Sequence, residues 1–346
     1  MGQALATSDP TYAPKTQHNA LDSWALKYVK DPRDLPFMHL ILQIAAVQIP
    51  FAIVLFALGD FEWWLGAIYL AVVGAGFLDR FILMLHNTSH RRLFKKHVMW
   101  ANRIIPWVLG PFFGETPGTY FAHHVGMHHP ENNLEDDLST TMPFRRDRFF
   151  HFMRYFTRFF FLGIIELALY HKKRNRPAFL KMAVVGELSY YAVVIALMIV
   201  RPEATLVVFV IPVVLVRFLM MAGNWGQHAF IVAEDPGNPY LNSITCINSR
   251  YNRRCFNDGY HIGHHVKATR HWTEMPVEFN EMREEYARQG AIVFEGIDFF
   301  MVWAALMTKR WNYLAKRMVT LGDEPSDIPS RIALLKSRVH PIVREV

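Results

Sequence analysis

The chain has 346 residues, 52% hydrophobic and 14% aromatic, with a formal net charge of +7 from 37 Lys and Arg against 30 Asp and Glu. The apolar share is high for a soluble enzyme, and the length suits two soluble domains or one membrane domain with a cap. Two cysteines, Cys246 and Cys255, exclude a zinc ribbon, an iron–sulfur cluster and a disulfide framework.

The chain opens with MGQALATSDPTYAPK. No basic-then-apolar signal segment is present there, and residues 1–34 read as a polar cytoplasmic tail. A first apolar run from Pro36 to Leu58 is long enough to span a bilayer, which takes roughly 20 residues. The short link GDFEWW leads to a second run, Leu65 to Leu85, interrupted by Asp79 and Arg80. Those two charges are costly in hydrocarbon and are expected to face the interior or to pair. The segment from Val98 to Phe113 is apolar but short, and Asn102, Arg103 and Pro106 make it interfacial or re-entrant. A third run, Phe179 to Val200, turns at RPEA into a fourth, Thr205 to Ala222. Gly74, Gly76 and Gly223 would permit close helix approach.

Between the second and third runs lie RRLFKK, FRRDR and HKKRNR, whereas the two short outer links hold only Arg201. Lys and Arg mark the cytoplasmic side, so both termini and both large segments are expected there. This accounts for the basic balance without nucleic acid, for which no module is recognisable. Beyond the fourth run, PVEFNEMREEYARQ reads as a soluble helix. The apolar piece IDFFMVWAALM is too short to span, and either lies on the headgroups or packs on the cap. The expected fold is an all-α integral membrane protein: four transmembrane helices in two hairpins, with a cytoplasmic helical cap. The expected division is a tail over 1–34, a catalytic domain over 35–275 and an interfacial helical region over 276–346.

Of 17 histidines, most fall in or beside four short segments. His86 and His90 end the second run in HNTSH. His123, His124, His128 and His129 crowd HHVGMHH. His228 closes NWGQH after the fourth run, and His261, His264 and His265 form HIGHH, with His271 nearby. A four-residue spacing on a helix turns two rings to one face. The expected topology puts all four segments at one membrane face. Imidazole suits iron, copper and zinc. Four nitrogens satisfy one tetrahedral ion, so eight or nine imply two. An isolated HxxxH is weak evidence, and His228 alone would read as an interior histidine; the set is what points to metal. A metal transporter would instead carry its ligands inside the spans, near the midplane. A metal-dependent membrane hydrolase would need the same ligand types.

These motifs resemble the membrane fatty acid desaturase superfamily, which includes alkane and fatty acyl hydroxylases. HNTSH, HVGMHH and HIGHH match its three histidine boxes, and NWGQH matches its additional ligand with an asparagine four residues earlier. The resemblance covers roughly residues 35 to 275 and implies nine ligands to two iron ions: His86, His90, His124, His128, His129, His228, His261, His264 and His265. It casts Asn224 as the residue holding a metal-bound water. His123 either replaces His124 as a ligand or serves as a base beside the ligands. Ligating imidazoles give their other N–H to an acceptor, and Glu131, Asp136, Asp137 and Asp258 are placed to receive it.

The resemblance further implies dioxygen as co-substrate, a fatty acid or fatty acyl thioester as substrate and surrounding membrane lipid. An external donor of ferredoxin or cytochrome b5 type, with its reductase, would supply electrons. The setting is a bacterial inner membrane or the endoplasmic reticulum. Desaturation is the leading outcome; hydroxylation and decarboxylation to a terminal alkene are open alternatives. Arg80, Arg217 and the group Arg145, Arg146 and Arg148 are candidate anchors for the substrate head, and Met220, Met221 and Trp225 could line an apolar tunnel.

Overall fold

The computed structural model describes residues 7–322 and 325–342. Four of its helices are long and apolar enough to cross a membrane: Pro32–Ala57, Trp63–His90, Pro177–Val200 and Pro202–Gln227. Three of them open on proline, which suits a first helical turn whose N–H groups have no internal acceptor. At most 44% of the most apolar stretch of any of the four is buried, so much of that surface needs lipid for cover. The chain is a mainly helical membrane protein.

The chain divides into two compact units. One comprises Ala13–Gly126 with Ile164–Phe218; the other comprises Met1–Tyr12, Met127–Gly163 and Leu219–Val346.

In the first unit, the apolar piece near residue 105 does not form a fifth span. It folds into short turns, Lys96–Arg103, Ile105–Leu109 and Gly110–Phe113. Helix side chains meet its end and the residues just after it: Gln48 donates to the Phe112 carbonyl at 3.2 Å, and the Thr116 hydroxyl donates to the Glu187 carboxylate at 2.5 Å. Glu187 also pairs with Arg217 at 3.1 Å. Arg80 donates to the Gly76 carbonyl, one turn back on its own helix. The glycine expectation fails here. A Cβ on Gly74, Gly76 or Gly223 would meet nothing within 4 Å. The close approach is at Gly186, where a Cβ would lie 1.7 Å from the Pro117 carbonyl oxygen. In the second unit Gly226 plays the same part, with Phe299 O at 2.3 Å.

The second unit contains a parallel strand pair that the all-helical expectation did not include: β1 (Ile244–Ile247) and β2 (Ile292–Glu295), with Ile244 opposite Ile292. Around it pack Phe230, Phe299, Val302, Leu306, Leu314 and Leu335. The helix Phe299–Met307 thus packs on the cap by one face, leaving Phe300 and Met301 exposed on the other. PVEFNEMREEYARQ forms two helices, Met275–Glu281 and Arg283–Gln289, broken at Met282.

A 25-residue helix, Phe149–Lys173, occupies sequence that reads as basic loop. Phe161, Ile165 and Leu169 form an exposed apolar stripe along it, suited to the headgroup boundary.

Candidate metal centre

Four imidazoles of the second unit arrive from three chain segments. His128 ends the wide turn His124–His128, and His228 follows the helix Ile211–Gln227 directly. His261 and His265 share one face of the short helix His261–Val266. Their ligand atoms lie within 4.8 Å of one another. His261 Nε2 is 3.2 Å from His228 Nε2 and 3.0 Å from His265 Nε2. A ring nitrogen carries either one N–H or one lone pair, so His261 Nε2 cannot satisfy both neighbouring nitrogens by hydrogen bonds. A divalent cation at their common point would satisfy every ring at once.

The other ring edges are held by acceptors. His128 Nδ1 lies 2.7 Å from Asp137 Oδ2, and His228 Nδ1 lies 3.0 Å from the Asn242 carbonyl. An N–H given at Nδ1 leaves Nε2 with its lone pair toward the group. Burial, reinforced by the His128 ring, pushes His228 down to about 4. Burial, with His261 and His228 beside it, also pushes His265 well below the usual histidine range. Both rings are therefore neutral at pH 7, the form that binds metal.

His264, on the same short helix, turns instead toward His129, Nε2 to Nε2 at 2.9 Å. In the first unit, His86 and His90 sit one turn apart at the end of Trp63–His90. The His124 ring centroid lies 4.6 Å from that of His86 and 5.0 Å from that of His90, with 2.9 Å between the His124 and His90 Nε2 atoms. His123 is half-buried at the end of Thr119–His123 and, among the described residues, belongs to no group of three or more converging ligand atoms.

Asn224 gives one side-chain N–H to the Ser139 carbonyl at 2.9 Å and the other to the Tyr155 hydroxyl at 2.8 Å. Its Oδ1 is left as the atom able to accept from a bound water. Of the four acids expected to orient rings, Asp137 lies at an imidazole; Asp258 accepts from Tyr251 at 2.8 Å, and Asp136 is exposed. Asn242, Ser139 and Tyr155 escape sequence reading; nothing in their spacing marks them.

Of the candidate anchors, Arg217, Arg145 and Arg146 are engaged elsewhere. Arg217 pairs with Glu187, and Arg145 with Asp147 at 3.0 Å. Arg146 is fully buried and donates to the carbonyls of Ala229, Thr141, Met142, Phe144, Arg338 and His340. It is an interior hub. Trp225 is also wholly buried, packed on Tyr155 and Phe152, so it forms core instead of lining a tunnel.

Comparison with curated proteins and with solved structures finds no match. The sequence profile of the fatty acid desaturase family matches residues 61–296, well over half of the chain and every histidine of the set above. The protein belongs to the fatty acid desaturase family.

Proposed function

We propose that the protein is an oxygen-dependent diiron enzyme that introduces a double bond into a fatty acyl chain. The observation that carries this reading is the convergence of four imidazoles, His128, His228, His261 and His265, in a member of this family. Those four hold one iron ion. The family resemblance makes the remaining histidines, His86, His90 and His124 of the first unit and His129 and His264 of the second, further iron ligands.

A bound iron pair supplies the dioxygen activation needed to take hydrogen from an unactivated methylene. The overall balance is –CH2–CH2– plus O2, two electrons and two protons, giving –CH=CH– and two waters. The protein's own residues hold and orient. Asp137 and Asn242 fix the tautomers of His128 and His228 and aim Nε2 inward. Asn224, clamped by Ser139 and Tyr155, presents a fixed acceptor for a water beside His228, one turn on along the chain. Burial keeps His228 and His265 from protonating.

The electrons come from an external ferredoxin or cytochrome b5-type donor, drawn to the basic face by charge. The termini and histidines lie on the cytoplasmic side, where Lys and Arg concentrate. The substrate is a fatty acid or its thioester.

The test is incubation of iron-loaded protein in lipid nanodiscs with fatty acids of several lengths, a reductant system and air, with mass spectrometry of products. A mono-unsaturated product two mass units lighter is expected, with two irons per chain. An alcohol or a shortened terminal alkene would move the reaction to a sister outcome. Turnover without oxygen on zinc would replace the reading with hydrolysis. His264→Ala should insert in the membrane with lowered iron and no product.

A further inference from the structure

Asp9 is buried, and its Oδ2 accepts three hydrogen bonds. They come from the Asn248 backbone N–H at 2.7 Å, the Asn252 side-chain amide at 2.8 Å and the Tyr260 hydroxyl at 2.7 Å. Its neighbours add to the hold. Ser8 N–H donates to Asn248 Oδ1, and the Pro10 carbonyl accepts from Asn257 Nδ2, each at 2.7 Å. Thr7 Oγ1 accepts from Asn280 at 2.5 Å. Asn252 in turn links the Cys246 carbonyl at the end of β1 to the Gly259 N–H, at 2.8 and 2.9 Å.

The segment gripped in this way is strained. Asn248, Phe256 and Asn257 hold φ of 54°, 55° and 55°, in the left-handed region that an aromatic residue rarely adopts. Such conformations persist where surrounding contacts over-determine them. Asp9 and Pro10 hold two of the three directly. The segment ends at Tyr260, which immediately precedes His261 and whose carbonyl accepts the His264 N–H at 3.0 Å. The Tyr260 phenol is thus the link between Asp9 and the helix that carries three histidines of the set.

We propose that residues 7–12 form a clasp that positions the helix His261–Val266, with Asp9 as a positioning residue acting through Tyr260 and Asn252. Without the Asp9 carboxylate, three donors lose their shared acceptor, and the entry to the helix frays. The clasp is a statement about the protein chain alone; its consequence for iron rests on the diiron reading above.

The test uses the full-length protein in nanodiscs, as Asp9→Ala and, in case that variant folds poorly, Tyr260→Phe, which removes one hydroxyl only. Hydrogen exchange of the metal-free protein is followed by mass spectrometry, and iron release from the loaded protein to a chelator is followed in parallel. Expected is exchange about tenfold faster over residues 257–266 and unchanged in the long apolar helices, with iron released about tenfold faster. Unchanged local exchange in both variants overturns the clasp. Faster exchange with unaltered iron release overturns its positioning role. Faster exchange in a protein that never binds iron, wild type included, supports the clasp and overturns the diiron reading instead.

Discussion

Asp137 Oδ2 stands 2.7 Å from His128 Nδ1, with both side chains at most 3% exposed. The same carboxylate accepts the Asn133 N–H at 2.9 Å and the Ser139 N–H at 2.8 Å. One acid therefore sets a ring's tautomer and folds the turn that follows it. Asp137→Asn keeps the shape but removes the charge that strengthens the His128 N–H bond. Iron affinity, measured by chelator competition, should fall about 10- to 100-fold with the fold retained. Asp137→Ala should also lose thermal stability, since it frees two buried N–H donors. Wild-type affinity in Asp137→Asn would remove His128 from the ligand set.

Adjacent histidines give a sharper contrast. His124 ring contacts tie it to His86 and His90, whereas His123 is outside any converging group among the described residues. His124→Ala should lower bound iron toward one ion per chain, read by metal analysis after gel filtration. His123→Ala should retain both. The reverse pattern would make His123 the ligand.

The periodic features were legible and the long-range ones were not. HNTSH and HIGHH declare themselves because a four-residue spacing stacks rings on one helical face, whatever the rest of the chain does. The four long helices follow from apolar length alone. Asp137 is one of four acids in the PENNLEDD that follows HVGMHH, and only the turn through Asn133 selects it. Asn242 reaches His228 through its backbone carbonyl as well as its amide, and Asp9 meets Tyr260 across 251 positions. No local pattern encodes such pairs. ITCI and IVFE, fully or nearly buried and non-alternating, do not announce strands. The helix Phe149–Lys173 hides its apolar stripe among arginines that suggest loop.

Arg146 illustrates a basic residue whose neighbours in sequence mislead. Its five N–H groups are spread over six carbonyls, including those of Arg338 and His340. It fastens the C-terminal segment beside the carbonyl that follows His228. Arg146→Ala leaves these buried acceptors unmet and should cost about 3–5 kcal/mol, the range for breaking a buried charge from its partners. Arg146→Lys, with three donors on a compact head, should recover only part. Thermal unfolding in nanodiscs should show a fall of roughly 10 °C for the alanine variant. An unchanged midpoint would demote the hub.

Gly186 and Gly74 test packing inside the membrane-type unit without touching any histidine. A methyl on Gly186 would sit 1.7 Å from Pro117 O and 2.8 Å from the Pro117 carbonyl carbon. Backbone atoms cannot rotate aside as a side chain does, so the helix and the Glu115–Pro117 segment must separate. That movement also strains the adjacent Thr116–Glu187 hydrogen bond. Gly186→Ala should cost about 1–3 kcal/mol or more. Gly74→Ala meets open space and should be neutral or gain up to about 1 kcal/mol from helix propensity. Thermal stability by fluorescence-detected gel filtration separates the two. Equal melting of both variants would mean that Pro117 does not closely approach the third long helix, and the anchoring of the short turns before it would have to be sought at Gln48 and Phe112 instead.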